Sequence, residues 1–100
     1  MPVAARPLGH VLGEIDELDE EATIYVNDGP VDNSTESLVL AEGEAQPPGY
    51  KYLLEVLLAK DVIDVWSKWR GGKRPSRAER VAAVAHNASH DAYLPTELAR

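Results

Sequence analysis

Two histidines four positions apart, His86 and His90, would share one side of a helix and could chelate a metal ion across a turn, with Asp91 adjacent. A stable site needs a third ligand of suitable geometry, and His10 is the only other histidine. The pair therefore reads as polar surface, and no metal is expected. Ser89-His90-Asp91 contains the three residue types of a hydrolase triad. Consecutive helical side chains diverge by about 100°, however, so they are not expected to relay a proton among themselves. Carboxylates are plentiful, yet they fall in charged stretches without the apolar surroundings that raise a pKa for acid catalysis. Cysteine is absent, which removes disulfides, thiolate ligands and cysteine nucleophiles. No catalytic residue and no cofactor are expected.

Charge clusters carry more information. Lys68, Arg70, Lys73, Arg74, Arg77 and Arg80 place six of the ten basic residues within thirteen positions, with Glu79 the only acid among them. This segment is net +5 inside a chain of net −7. Gly71-Gly72-Lys73 lacks the spacing of a phosphate loop. Phosphates would instead meet Arg77, Arg80 and the free amides where the last helix starts. Base stacking would call on Trp66 and Trp69, but both fall on an apolar stripe, and only Trp69 is near enough to the helix end to be half exposed. The acidic field elsewhere opposes nucleic acid.

The opposite cluster, Glu14, Asp16, Glu17, Asp19, Glu20 and Glu21, is the second candidate surface. Residues 1–50 hold eleven acids and one base, Arg6, while residues 51–100 hold nine bases and six acids. Small acidic proteins that neutralise basic enzymes use such faces to steer encounter. Segregated charge also permits head-to-tail self-association, so a homo-oligomer is allowed.

One hundred residues make one domain, 1–100, with an ordinary apolar content of 44%. No apolar run approaches the ~18 residues of a membrane span. The stretch from Met1 to Leu12 lacks a basic region followed by an apolar one, so no secretory leader is expected and the location reads as cytoplasmic. Leu8, Val11, Leu12 and Ile15 predict a short helix. Thr23-Ile24-Tyr25-Val26 and Leu38-Val39-Leu40 predict strands. The third strand places Tyr50, Tyr52, Leu54, Val56 and Leu58 on one side and Lys51, Leu53, Glu55 and Leu57 on the other.

From about Ala59 the period becomes helical, with Leu58, Val62, Val65, Trp66 and Trp69 on one face. Gly71-Gly72 stops that helix. Ser76-x-x-Glu79 is a capping box for a last helix running to about His90, whose buried stripe is Val81, Val84, Ala85 and Ala88. After it, Ala92, Tyr93 and Leu94 would fold back on the core, with Pro95 blocking further helix and Asp91 bonding a basic residue or an amide.

Tyr52-Leu53-Leu54-Glu55-Val56, Ala59-Lys60-Asp61-Val62-Ile63 and His90-Asp91-Ala92-Tyr93-Leu94 resemble a small bacterial domain family of unknown function, mainly over residues 50–94. The shared features are a strand–helix junction, a Pro-Ser/Thr-x-x-Glu helix start and an Asp-Ala-Tyr/Phe-hydrophobic tail. The resemblance implies a fold and no chemistry. Its similarity in size and acidity to immunity and anti-defence proteins is analogy.

The expected architecture is α+β in the order α-β-β-β-α-α. A three-stranded, mainly antiparallel sheet carries the last two helices on one face, with the short first helix at an edge. The expected function is non-enzymatic protein binding of the inhibitor, immunity or phage anti-defence kind. Either the acidic face or the corner Lys68–Arg80, with Trp69, would meet another protein. Nucleic-acid or nucleotide-phosphate binding through that corner is the alternative.

Overall fold

Pro7 ends a strand and opens a helix in a single step. The structure is a computed structural model and describes residues 5–27 and 29–90. In chain order the elements are β1 (Arg6–Pro7), α1 (Leu8–Gly13), a 3-10 turn (Ile15–Glu17), β2 (Thr23–Asn27), β3 (Glu36–Leu40), β4 (Tyr50–Glu55), α2 (Val56–Lys68) and α3 (Arg77–His90). The fold is α+β with an antiparallel sheet of order β1-β3-β2-β4. It has four strands where three were expected. The extra one pairs Arg6 with Ser37 and Pro7 with Glu36. Two residues show no alternation, and a proline without an N–H suits only such an edge.

The first helix is central to the core and not peripheral as expected. Leu8, Val11 and Leu12 are fully buried, and α1 packs on α3. Its first amides find loop partners: Leu8 N–H donates to the Thr35 carbonyl at 2.8 Å and Gly9 N–H to that of Asn33 at 3.0 Å. The intervening loop is closed by Asp32, whose carboxylate accepts from Ser34 N–H at 2.9 Å and Ser34 Oγ at 2.8 Å. Those bonds, led by the Ser34 hydroxyl, hold the Asp32 carboxyl below its ordinary value.

A bulge in β4 breaks the expected alternation. Ile24 faces Leu54 and Tyr25 faces Tyr52, so Leu53 is an extra residue opposite no partner. The pleat shifts by one at that point. Leu53 and Leu54 are consequently both buried, while Tyr52 swings to the outer side and meets Tyr25 edge-on, ring centroids 6.5 Å apart.

The chain also leaves the sheet earlier than expected, because α2 begins at Val56. No side chain caps it. Val56 N–H donates to the Ala22 carbonyl at 2.9 Å and Leu57 N–H to that of Glu20 at 3.3 Å, so preceding backbone replaces a cap. The buried stripe is then Val56, Ala59, Val62 and Trp66, and Leu58 lies outside it.

Ser67 accepts the Gly72 N–H on its carbonyl at 2.9 Å, and Gly71 and Gly72 take φ of 70° and 86°, which ends the run. The capping box forms as expected: Ser76 N–H donates to Glu79 Oε1 at 2.9 Å and Glu79 N–H to Ser76 Oγ at 3.2 Å. In α3 the buried residues are Val81, Ala83 and Val84, whereas Ala85 is half-buried and Ala88 exposed. Only the N-terminal half of α3 crosses the core. The expected fold-back of Ala92, Tyr93 and Leu94 and the Asp91 contact lie outside the described residues. Among those residues, no helix is long and apolar enough to cross a membrane.

Candidate functional site

The six clustered cations do not present one free surface. Lys68 pairs with Asp64 at 2.9 Å, and that carboxylate holds its ammonium above the ordinary lysine value. Arg70 donates to the Trp66 carbonyl at 3.1 Å and lays its guanidinium 4.3 Å from the centroid of that ring. Lys73 pairs with Glu79 at 3.2 Å and stands 5.6 Å from the same ring. Arg80 donates to the Leu12 carbonyl at 2.8 Å, tying α3 to α1. These side chains close helix ends and cover Trp66, which is 5% exposed.

Arg74 and Arg80 then line a groove with Lys60, Asp64 and Asp16, so the two charge clusters meet there. Arg77 points elsewhere, against Gly13. Trp69 is half exposed, as expected. At the start of α3 the Glu79 carboxylate already occupies the place a phosphate would take.

The acidic stretch is likewise divided. Glu14 meets His10 Nε2 at 3.2 Å and Arg6 at 3.6 Å. Asp16 and Glu17 are exposed, and Asp19 Oδ1 accepts the Glu21 N–H at 3.0 Å. Glu20 reaches Lys60 at 3.4 Å. Glu20 and Glu21 join a different set of distant residues from Asp16. They line a cleft with Glu42 and Glu44 of the β3–β4 loop, Glu55 at the end of β4, Tyr25, and Leu57 and Leu58 at the start of α2. Glu44 braces its own loop by accepting the Ala41 N–H at 2.9 Å. Glu21, Glu42 and Glu55 have no ion-pair or side-chain hydrogen-bond partner among the described residues. Leu57 and Leu58 are 55% and 44% exposed. They are consecutive residues at the first turn of α2, ringed by five carboxylates.

The cleft runs onto the outer face of the sheet, where the cross-strand rows are Leu40–Thr23–Glu55 and Leu38–Tyr25–Tyr52. At the far end of β4, Tyr50 donates its hydroxyl to the Glu36 carboxylate, and this bond raises the phenol above its ordinary value. Sequence reasoning reached Glu20 and Glu21 but missed Glu42, Glu44, Glu55, Leu57 and Leu58. The signal available was the helical register: a helix begun at Val56 leaves Leu57 and Leu58 off its buried stripe.

His86 and His90 stack with ring centroids 4.3 Å apart and 13° between planes. Among the described residues no group of three metal-ligating side chains forms. The divergence expected between neighbours does not keep Ser89 from His90, since Ser89 Oγ lies 2.8 Å from His90 Nδ1. That hydroxyl also donates to the Ala85 carbonyl at 3.0 Å, the back-bond a helical serine ordinarily makes. Both residues are exposed. No protein-family model, curated protein or solved structure matches this chain.

Proposed function

We propose that the chain is a non-enzymatic protein-binding domain whose acid-rimmed cleft receives a basic, partly apolar segment of another protein. The observation that carries this reading is the enclosure of exposed Leu57 and Leu58 by Glu20, Glu21, Glu42, Glu44 and Glu55. Apolar area that leaves water supplies the affinity, and the carboxylates steer encounter and reject acidic competitors. Occupying a basic region of a partner is the physical act of an inhibitor or immunity-type protein, and we place the function there. The corner Lys68–Arg80 serves this reading less well, because four of its six cations are engaged within the chain.

Calorimetry with two synthetic amphipathic peptides, one built of Lys and Leu and the other of Glu and Leu, tests it. The basic peptide should bind, and the acidic one should not. Leu57→Asp with Leu58→Asp, and separately Glu21→Lys with Glu42→Lys, should each weaken binding by about tenfold or more. Glu17→Lys, a charge change outside the cleft, should leave it within about twofold. Equal loss from Glu17→Lys would reduce the effect to net charge and overturn the reading.

A further inference from the structure

A second concavity has the opposite chemistry. Arg6 of β1, Pro7, Gly9 and His10 of α1, Asn33 of the β2–β3 loop and Arg77 at the start of α3 line a cleft of about 470 Å3. The fold brings them together through two close approaches on α1. Backbone bonds from Leu8 and Gly9 to the loop carbonyls draw Asn33 over Gly9, where a Cβ would stand 2.6 Å from Asn33 Oδ1. One turn on, Gly13 admits Arg77, and a Cβ there would stand 2.7 Å from Arg77 Nε. Larger residues at either glycine would push these polar side chains off the helix.

Like charges do not gather in one cleft without cost, and a carboxylate would be the ordinary remedy. Among the described residues, no carboxylate lines this one. Glu14 touches Arg6 and His10 from outside the lining, at 3.6 Å and 3.2 Å. The Arg77 side chain has no ion pair or hydrogen bond among the described residues. Two guanidinium forks, a histidine ring and a side-chain amide therefore share an open cleft within the size range of small-ligand sites, its walls partly apolar at Pro7 and Gly9.

We propose that this cleft binds a small phosphomonoester, with Arg6 and Arg77 gripping the oxyanion. Guanidinium groups match a tetrahedral oxyanion with paired parallel hydrogen bonds. The His10 ring and the Asn33 amide add single polar contacts, and the ester's organic body rests against Pro7 and Gly9. The site is separate from the acid-rimmed cleft and does not depend on it: Glu20, Glu21, Leu57 and Leu58 line no part of it.

The test is a nuclear magnetic resonance titration of the full chain with inorganic phosphate and, separately, with adenosine monophosphate. Saturable shifts should centre on Gly9, His10, Asn33 and Arg77, with the nucleotide binding about tenfold tighter than phosphate because its body is also covered. Arg6→Gln and Arg77→Gln should each weaken the nucleotide by about tenfold or more, and Arg74→Gln, outside the cleft, should not. Arg77 packs on α1, so where its variant loses the folded spectrum, Arg6→Gln decides. No saturable shift at these residues up to about 20 mM phosphate or nucleotide overturns the site. Equal losses from Arg74→Gln overturn it as diffuse attraction, and phosphate binding as tightly as the nucleotide overturns the ester assignment.

Discussion

Glu79 closes the first turn of α3 and neutralises Lys73 with the same carboxylate. The Ser76 N–H is the largest cause of its lowered pKa, and Lys73 follows. A carboxyl lowered on folding stabilises the native state above its ordinary value of 4.5, and that contribution disappears as pH falls through the folded value. Acid unfolding followed by circular dichroism should therefore shift to higher pH with less steepness in Glu79→Gln, which has no carboxylate to take up a proton. At neutral pH, Ser76→Ala should cost about 1 kcal/mol in urea unfolding through loss of the cap. Leu12 is fully buried between α1 and its neighbours, and Leu12→Ala should cost about 3 kcal/mol by leaving a cavity.

At the scale of elements, α3 was legible because its cap is chemical, with Ser, Glu and the preceding Pro-Ser step stating a boundary without ambiguity. The α2 stop was legible for the same reason, since Gly71 and Gly72 both adopt positive φ. Gly72→Ala should cost about 1 kcal/mol, read from the same unfolding curves. The β4–α2 boundary was not legible. Leu54, Val56 and Leu58 suit a strand by alternation, while Val56, Ala59 and Val62 suit a helix, and the joint is set by carbonyls of Glu20 and Ala22 that no local pattern reveals. The bulge at Leu53 is hidden likewise, because a pleat shift depends on what β2 presents. β1 is too short to leave any period. The consequence for the site is direct: an extended reading through Leu58 puts Leu57 and Leu58 on opposite faces of a strand, whereas the helix exposes both together. Since both are open to water, Leu57→Asp with Leu58→Asp should change stability by less than about 1 kcal/mol while removing peptide binding.

For the whole molecule, the division of charge between the two halves of the sequence is not a division of surfaces. Asp16 shares a groove with Arg74 and Arg80, Glu14 meets Arg6 and His10, and Glu20 meets Lys60. Most of the described basic side chains are thus engaged inside the fold. Glu21, Glu42, Glu44 and Glu55, which pair with no cation among the described residues, line the Leu57–Leu58 cleft. Association with a basic peptide should accordingly slow by about tenfold between 50 mM and 500 mM salt, while the apolar contribution to affinity persists. A stopped-flow series across that range checks both.

The joint between β4 and α2 bears on how such a surface changes over generations. Its two fastening bonds run from the amides of Val56 and Leu57 to the carbonyls of Ala22 and Glu20. Both are backbone bonds, indifferent to the side chains at 20 and 57. The residues a partner would read can therefore be rewritten while the hinge pin beneath them stays the same. Substitutions at 20 and 57 should leave the β4–α2 joint in place.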